Sequence, residues 1–295
     1  MWFIPVALLI LVGYGVVPIL NKRIAGAPSR ARSLLVQHAF AALFADCICI
    51  AMGASIETMF FAVAIVGVLN AFGNYAYWRA IDTSLSTTSL FSQADDLIAL
   101  ALGYIVLHEF AIVGVWLGIG VGILVCAAAL FSVEQALKQK RGNPKSIIRW
   151  IVAYSLIWGV AMFSGRYFAL EGVSIVTYLA GWYTGSLVGA LTVFALAPAK
   201  ERGQSLSWAH YASVAVLAVV IMISNALGYW AKMLAPITVV QPLFQLAEMI
   251  LPTMIGLWYF KERQHLTRRE KVALAIGLIG GMIIVYSYSI APRTS

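Results

Sequence analysis

Apolar residues run in blocks along this chain, and the polar residues are confined to the gaps between them. A helix needs roughly 20 mostly apolar residues to cross the hydrocarbon of a bilayer. Ten blocks meet that length, at about 2–20, 33–52, 58–78, 84–107, 110–131, 149–170, 174–196, 209–231, 236–259 and 270–289. None alternates polar and apolar positions in the ten-residue pattern of a barrel strand. The pattern predicts an all-α membrane protein with ten transmembrane helices. The first block is followed by Ala25-Gly26-Ala27, which resembles a signal-peptide cleavage site. It lacks a basic segment before it and has a counterpart in the second half of the chain, so it is read as a helix.

Composition agrees. The chain has 295 residues, 62% of them apolar and 11% charged, against about 45–50% and about 25% in an average soluble domain. The formal charge is +8, yet no basic domain remains outside the apolar blocks. The excess therefore marks loops at a membrane surface rather than a nucleic-acid partner. Of the 20 Lys and Arg, 17 fall on the face that holds loops 1–2, 3–4, 5–6, 7–8 and 9–10. The opposite face has Lys232 and Arg293, and Arg166 lies inside a helix. This bias predicts the basic face in the cytoplasm and both termini outside.

Several chemistries lose support at this level. Connections between blocks are too short for a soluble catalytic domain. There is no Gly-rich P-loop, and His38 is the one histidine well inside a block, so no His pair is available for haem. Adjacent Asp95 and Asp96 are poor geometry for two carboxyls sharing one catalytic water. Cys47, Cys49 and Cys126 sit in apolar blocks without metal-ligand spacing and read as packing residues. No enzyme activity, cofactor or metal is expected.

Similar residues recur about 153 positions apart. Tyr77-Trp78 matches Tyr229-Trp230, Leu90-Phe91 matches Leu243-Phe244, Asp95 matches Glu248, and Glu109 matches Glu262. Asn70 to Gly73 resembles Asn225 to Gly228, and Tyr14-Gly15 resembles Trp158-Gly159 at a shorter offset. Five helices per repeat force the second copy into the membrane upside down, a common construction of secondary transporters with a midplane site between halves. The expected division is a first five-helix repeat over 1–133, a basic linker over 134–148, and a second repeat over 149–295. Small residues form ladders at Gly114, Gly118 and Gly122 and at Ala273, Gly277 and Gly281. These predict close contact of helices 5 and 10 at the back of the bundle, or against a second protomer in a homodimer.

The order of five helices, linker and five helices, together with Tyr14-Gly15, Trp158-Gly159, Leu107-His108-Glu109 and Phe260-Lys261-Glu262-Arg263, resembles the drug/metabolite transporter superfamily, in its ten-helix EamA-type branch. The resemblance covers nearly the whole chain. It implies a secondary transporter for small metabolites such as amino acids, amines or drugs, often outward and often proton-coupled. Two features depart from that pattern. Relatives commonly carry Pro in the middle of helix 4, where this chain has Ala94-Asp95-Asp96, and relatives are usually drawn with both termini in the cytoplasm.

Charged groups at the bilayer centre cost about 2.5–3.5 kcal/mol each on insertion scales, so those present need a reason. Asp95 and Asp96 lie about twelve residues into helix 4 and Glu248 about twelve into helix 9, near mid-membrane at 1.5 Å per residue. Gln241, Gln245 and Glu248 share one helix face at i, i+4 and i+7, and Gln93 stands three before Asp96. Lipid cannot satisfy such stripes, so they point at protein or water. The functional reading is a cation or proton site formed by Glu248, Asp95 or Asp96, since a carboxyl shielded from water can trade a proton for a substrate cation. The bland reading is interhelical hydrogen bonding. Asp95 and Asp96 are about 100° apart around a helix, so one of them is expected to face the cavity. Tyr14, Trp158, Tyr178 and Trp182 are candidate walls for an organic cation, and Asn70, Asn74 and Asn225 candidate hydrogen-bonding groups. Trp2, Trp150 and Trp208 read as interface-belt residues. Asp46 is evenly balanced between packing and a relay, and His38 reads as a packing residue. Arg166 is expected to snorkel or pair with Glu171, and Asp82 to cap helix 4. The expected partners are a small-molecule substrate, protons and the lipid bilayer of a bacterial inner membrane. A lipid flippase or a channel using the same cavity is the alternative.

Overall fold

The computed structural model describes residues 1–27, 29–54, 56, 58–83, 85, 88, 94–109, 115–138, 144–261 and 267–290. Among these the regular structure is helical, with no strand. The helices are α1 (Phe3–Ala25), α2 (Arg30–Ala51), α3 (Thr58–Thr83), α4 (Ala94–Val106), α5 (Val115–Lys138), α6 (Pro144–Leu170), α7 (Ile175–Leu196), α8 (Trp208–Leu234), α9 (Ile237–Tyr259) and α10 (Arg268–Ile290). A single turn, Ala199–Arg202, precedes α8. Seven of them, α1, α2, α3, α6, α7, α8 and α9, are long and apolar enough to cross a bilayer. The protein is an all-α, multi-pass membrane protein.

The ends of the helices follow from local chemistry. Ser174 and Ser207 accept hydrogen bonds from the backbone N–H groups of Thr177 and His210 and start α7 and α8, as N-cap serines do. Helix α5 continues to Lys138 because Glu134-Gln135-Ala136-Leu137-Lys138 are strong helix formers. Pro144 opens α6, where its missing N–H costs nothing. The expected linker over 134–148 is therefore helical at both ends. Gln93, Leu90, Phe91 and Glu262 lie outside the described residues.

Glycine sets the closest contacts. On α7, Gly181, Gly185 and Gly189 recur every fourth residue and face α3. A Cβ on Gly185 would lie 1.9 Å from the Ala64 carbonyl oxygen, and one on Gly67 2.2 Å from that of Trp182. Only small residues permit such backbone approach. Helices α5 and α10 do meet, at Gly120 and Gly280, where a Cβ on either would come within about 3 Å of the other's carbonyl oxygen. The contact face differs from the expected ladder. Leu117, Val121 and Leu124 are the buried side of α5, a side chain on Gly122 would meet nothing within 4 Å, and Gly114 lies outside the described residues. Elsewhere α2 packs on α7, α4 on α9, α3 on α6, α4 on α6, α8 on α2 and α1, and α9 on α1.

Three expectations are corrected here. Asp82 does not cap helix 4; it ends α3 and pairs with Arg30, because the chain remains helical through Thr83. Arg166 does not pair with the exposed Glu171. Its Nε donates to Glu109 Oε1 at 2.9 Å, a partner that removes both charges from lipid. Trp2 is not an interface residue: it is 4% exposed and packs with Val6, Ala231 and Val239. Trp208, at 85% exposed, does stand at the surface.

Candidate central cavity

Two prolines shape the helices that carry the site. Pro18 on α1 and Pro252 on α9 have no N–H, so the carbonyls of Tyr14 and Glu248, four residues earlier, lose their usual helical partners. Next to each proline the helix widens to π geometry, over Ile10–Val16 and Ile255–Tyr259. Such wide turns recur at functional sites. Gly13 lies in the first of them, and a Cβ there would fall 2.6 Å from Ser224 Oγ, so a bare backbone brings α1 against α8.

Between α1, α3, α6, α7, α8 and α9 is a cavity with about 130 Å³ open to a water-sized sphere. Of the residues expected from sequence, Tyr14, Asn74, Trp158, Tyr178, Trp182, Asn225 and Glu248 line it. Tyr77, Tyr154, Tyr229 and Phe244 complete an aromatic wall. Tyr178 stacks on Tyr229 with ring centroids 3.9 Å apart and planes 11° from parallel. Tyr229 Oη donates to the Val173 carbonyl at 2.7 Å, and Asn225 Nδ2 donates to Tyr183 Oη at 2.7 Å. The wall is thus held by hydrogen bonds at its outer edge.

At one side of the cavity three acids converge. Asp95, Asp96 and Glu248 are all buried, and each offers a carboxylate oxygen within 4.8 Å of the others. Glu248 lines the cavity, with the two aspartates beside it. One of the two aspartates was expected to face the cavity; neither lines it, and both reach the cluster with Glu248 instead. The reason is local: Asp95 Oδ1 folds back to accept from the Asp96 backbone N–H at 2.9 Å, which draws its carboxyl round the helix toward that of Asp96. Gln241 Nε2 donates to Asp96 Oδ1 at 2.5 Å and fixes the second carboxylate across the α4–α9 contact. Gln245 is fully buried, and neither amide atom has a partner among the described residues. Gln241 and Gln245 stand behind the acids and do not line the cavity.

Other candidates resolve into packing. Asn70 does not line the cavity; its Nδ2 donates to Ser186 Oγ at 2.8 Å between α3 and α7. Asp46 accepts from Thr184 Oγ1 at 3.0 Å, tying α2 to α7. His38 is fully buried, with Nε2 3.5 Å from Asn74 Nδ2.

Sequence reasoning missed Lys232, which sits in the last turn of α8 and was counted as a loop charge. It is 5% exposed and lines the cavity. Its Nζ lies 3.1 Å from Met162 Sδ. Its carbonyl accepts from Arg166 Nη1 at 2.5 Å, and Glu109 Oε2 accepts from the Thr238 backbone N–H at 3.1 Å. One buried ion pair thus locks α6, α8 and the start of α9 around the lysine. The signal was available: Lys232 falls two residues after the Tyr229-Trp230 repeat motif, and the apolar Met233 and Leu234 follow it.

No protein-family model and no curated protein matches the chain. A solved crystal structure of a protein superposes with a TM-score of 0.66, covering 97% of this chain and 98% of that chain at 14% identity. The fold is shared. At that identity the likeness shows the fold alone.

Proposed function

We propose that the protein is a secondary active transporter of a small polar metabolite, an amine, organic cation or amino acid, coupled to protons and working by alternating access. The observation that carries this is the meeting of Asp95 and Asp96 on α4 with Glu248 on α9 at the edge of an aromatic-lined cavity. Three carboxyls so close cannot all hold negative charge without protons or a cation to offset them. A site that must hold either one or the other is the chemical basis of exchange.

The reading extends to ten spans in two inverted five-helix repeats, resembling the EamA-type drug/metabolite transporters, in a bacterial inner membrane. The helix contacts support it. The α3–α7 contact has its counterpart five helices on in α8–α2, α3–α6 in α8–α1, and α4–α6 in α9–α1, while α2–α7, α4–α9 and α5–α10 each map onto themselves. That is the contact pattern of a pseudo-two-fold axis.

The test is uptake into proteoliposomes of purified protein. The proposal expects saturable flux that depends on pH and exchanges with unlabelled solute. Linear, non-saturating flux without counterflow indicates a channel and overturns it.

A further inference from the structure

The cavity reaches one of the three clustered acids. Glu248 lines it; Asp95 and Asp96, at 2% and 1% exposed, do not. An organic solute in the cavity therefore meets a single carboxyl. Whatever offsets the other two must fit beside them, as a proton or an atomic ion does. The side chains around the aspartates are short of such a partner. Asp96 Oδ2 and Gln241 Oε1 are buried acceptors with no donor among the described residues, and neither amide atom of fully buried Gln245 is partnered there. Gln245 is aimed at the cluster by its place on α9. Gln241, four residues before it, donates to Asp96, and Glu248, three residues after it, closes on both aspartates. All three share one helix face. Buried acceptors left without donors are costly, and oxygens from five side chains around one point describe a place for a cation.

The donors decide which ion. Carboxylate and amide oxygens select hard cations over those that favour nitrogen or sulfur. Carboxylate oxygens within 4.8 Å of one another can share one ion at about 2.3–2.6 Å, the bond length of Ca2+. Mg2+ bonds at about 2.0–2.1 Å and keeps several waters, a poor match to aspartates set outside the cavity. Charge points to a divalent ion. The other ionisable groups facing the cluster are Tyr14 from α1, Tyr77 from α3, Tyr154 from α6 and Lys232 from α8. The tyrosines are neutral when protonated, and Lys232 brings one positive charge. Three carboxylates less one ammonium leave two negative charges.

We propose that Asp95, Asp96, Glu248, Gln241 and Gln245 form a binding site for one divalent metal ion of calcium size, held beside the solute cavity and taken up in exchange for protons. This rests on reading the cluster as the place of exchange, and it assigns the exchange to an inorganic ion rather than to the ammonium of a solute. Metal binding displaces protons from the carboxyls that hold them. Affinity therefore rises with pH, by about tenfold per unit for each proton displaced.

The experiment is calorimetric titration of the detergent-purified full chain, stripped of metal with a chelator, using CaCl2, MgCl2 and NaCl in turn. One Ca2+ binds per chain and binds more tightly at about pH 8 than at about pH 6, with Mg2+ and Na+ at least about tenfold weaker. Gln245→Leu replaces an unpartnered buried amide, so its metal-free form melts at or above wild type, yet it binds Ca2+ about 10- to 100-fold more weakly. Asp46→Asn, which alters an intramembrane acid outside the cluster, binds Ca2+ as wild type does. Four results overturn the proposal: no Ca2+ binding, Mg2+ or Na+ bound as tightly, an affinity indifferent to pH, or Gln245→Leu with wild-type affinity. If Gln245→Leu does not fold, the ion and pH series on wild type still decide. Binding is read without a gradient, so the two readings fail separately. A protein that binds Ca2+ but moves no solute in vesicles loses the transport reading alone. One that carries solute against protons and ignores Ca2+ loses this inference alone.

Discussion

Gly185→Ala is predicted to destabilise the protein through the α3–α7 contact that carries the Tyr178–Trp182 wall of the cavity. The added Cβ would sit 1.9 Å from the Ala64 carbonyl oxygen and 2.6 Å from its carbonyl carbon. Ordinary contact begins near 3.4 Å, so the helices must part by about 1.5 Å. The obstacle is backbone and cannot rotate away. Overpacking of this kind costs typically 1–3 kcal/mol, and a clash with main chain belongs at the upper end, less about 1 kcal/mol regained from the better helix propensity of alanine. The matched control is Gly122→Ala, where a new side chain meets nothing within 4 Å and the propensity gain of up to about 1 kcal/mol acts alone. Thermal unfolding in detergent, followed by tryptophan fluorescence, should show Gly185→Ala melting several degrees below wild type and Gly122→Ala at or above it. Equal midpoints for the two variants would refute the close packing of α3 on α7.

Three further outcomes follow from the geometry. Arg166→Met should destabilise by about 3–5 kcal/mol, because it strands buried Glu109 without its cation, and the double change Arg166→Met with Glu109→Leu should recover much of the loss in the same melt; a single variant as stable as wild type contradicts the pair. Asp46→Asn should cost about 0.6 kcal/mol or less, the scale of an interhelical hydrogen bond in lipid, and leave transport intact, whereas abolished uptake would return Asp46 to the mechanism. A C-terminal reporter active only in the cytoplasm should stay silent, as the basic-loop bias predicts; full signal reverses the orientation.

Much of the architecture could be read from the chain because lipid imposes simple rules. Apolar blocks of spanning length gave the helices, and the intramembrane acids Asp95 and Glu248 stood out as groups that lipid cannot satisfy. Residue pairs such as Tyr77-Trp78 and Tyr229-Trp230 led us to expect these acids at corresponding positions around one cavity, and their carboxyls do meet. Rotation about a helix axis was less legible. Whether Gly120 or Gly122 faces α10 depends on how Leu117, Val121 and Leu124 pack, which spacing alone leaves open. The Asp95–Asp96 pair shows the same limit: 100° of separation suggested one residue facing the cavity, but neither lines it, and a side chain bent onto the next backbone N–H leaves both carboxyls beside that of Glu248. Lys232 escaped notice because the loop boundary was drawn one turn early, and Arg166 was matched to Glu171 in sequence when its true partner, Glu109, lies 57 positions away.

Glu248→Gln offers the most direct trial of the acid-lined cavity as the place where solute and proton compete. The amide keeps the shape and hydrogen-bonding reach of the side chain but removes the charge that lines the cavity. In proteoliposomes, with insertion and melting temperature unchanged from wild type, the variant should lose pH-driven uptake altogether. Uptake at the wild-type rate, with the wild-type response to a pH gradient, would contradict it.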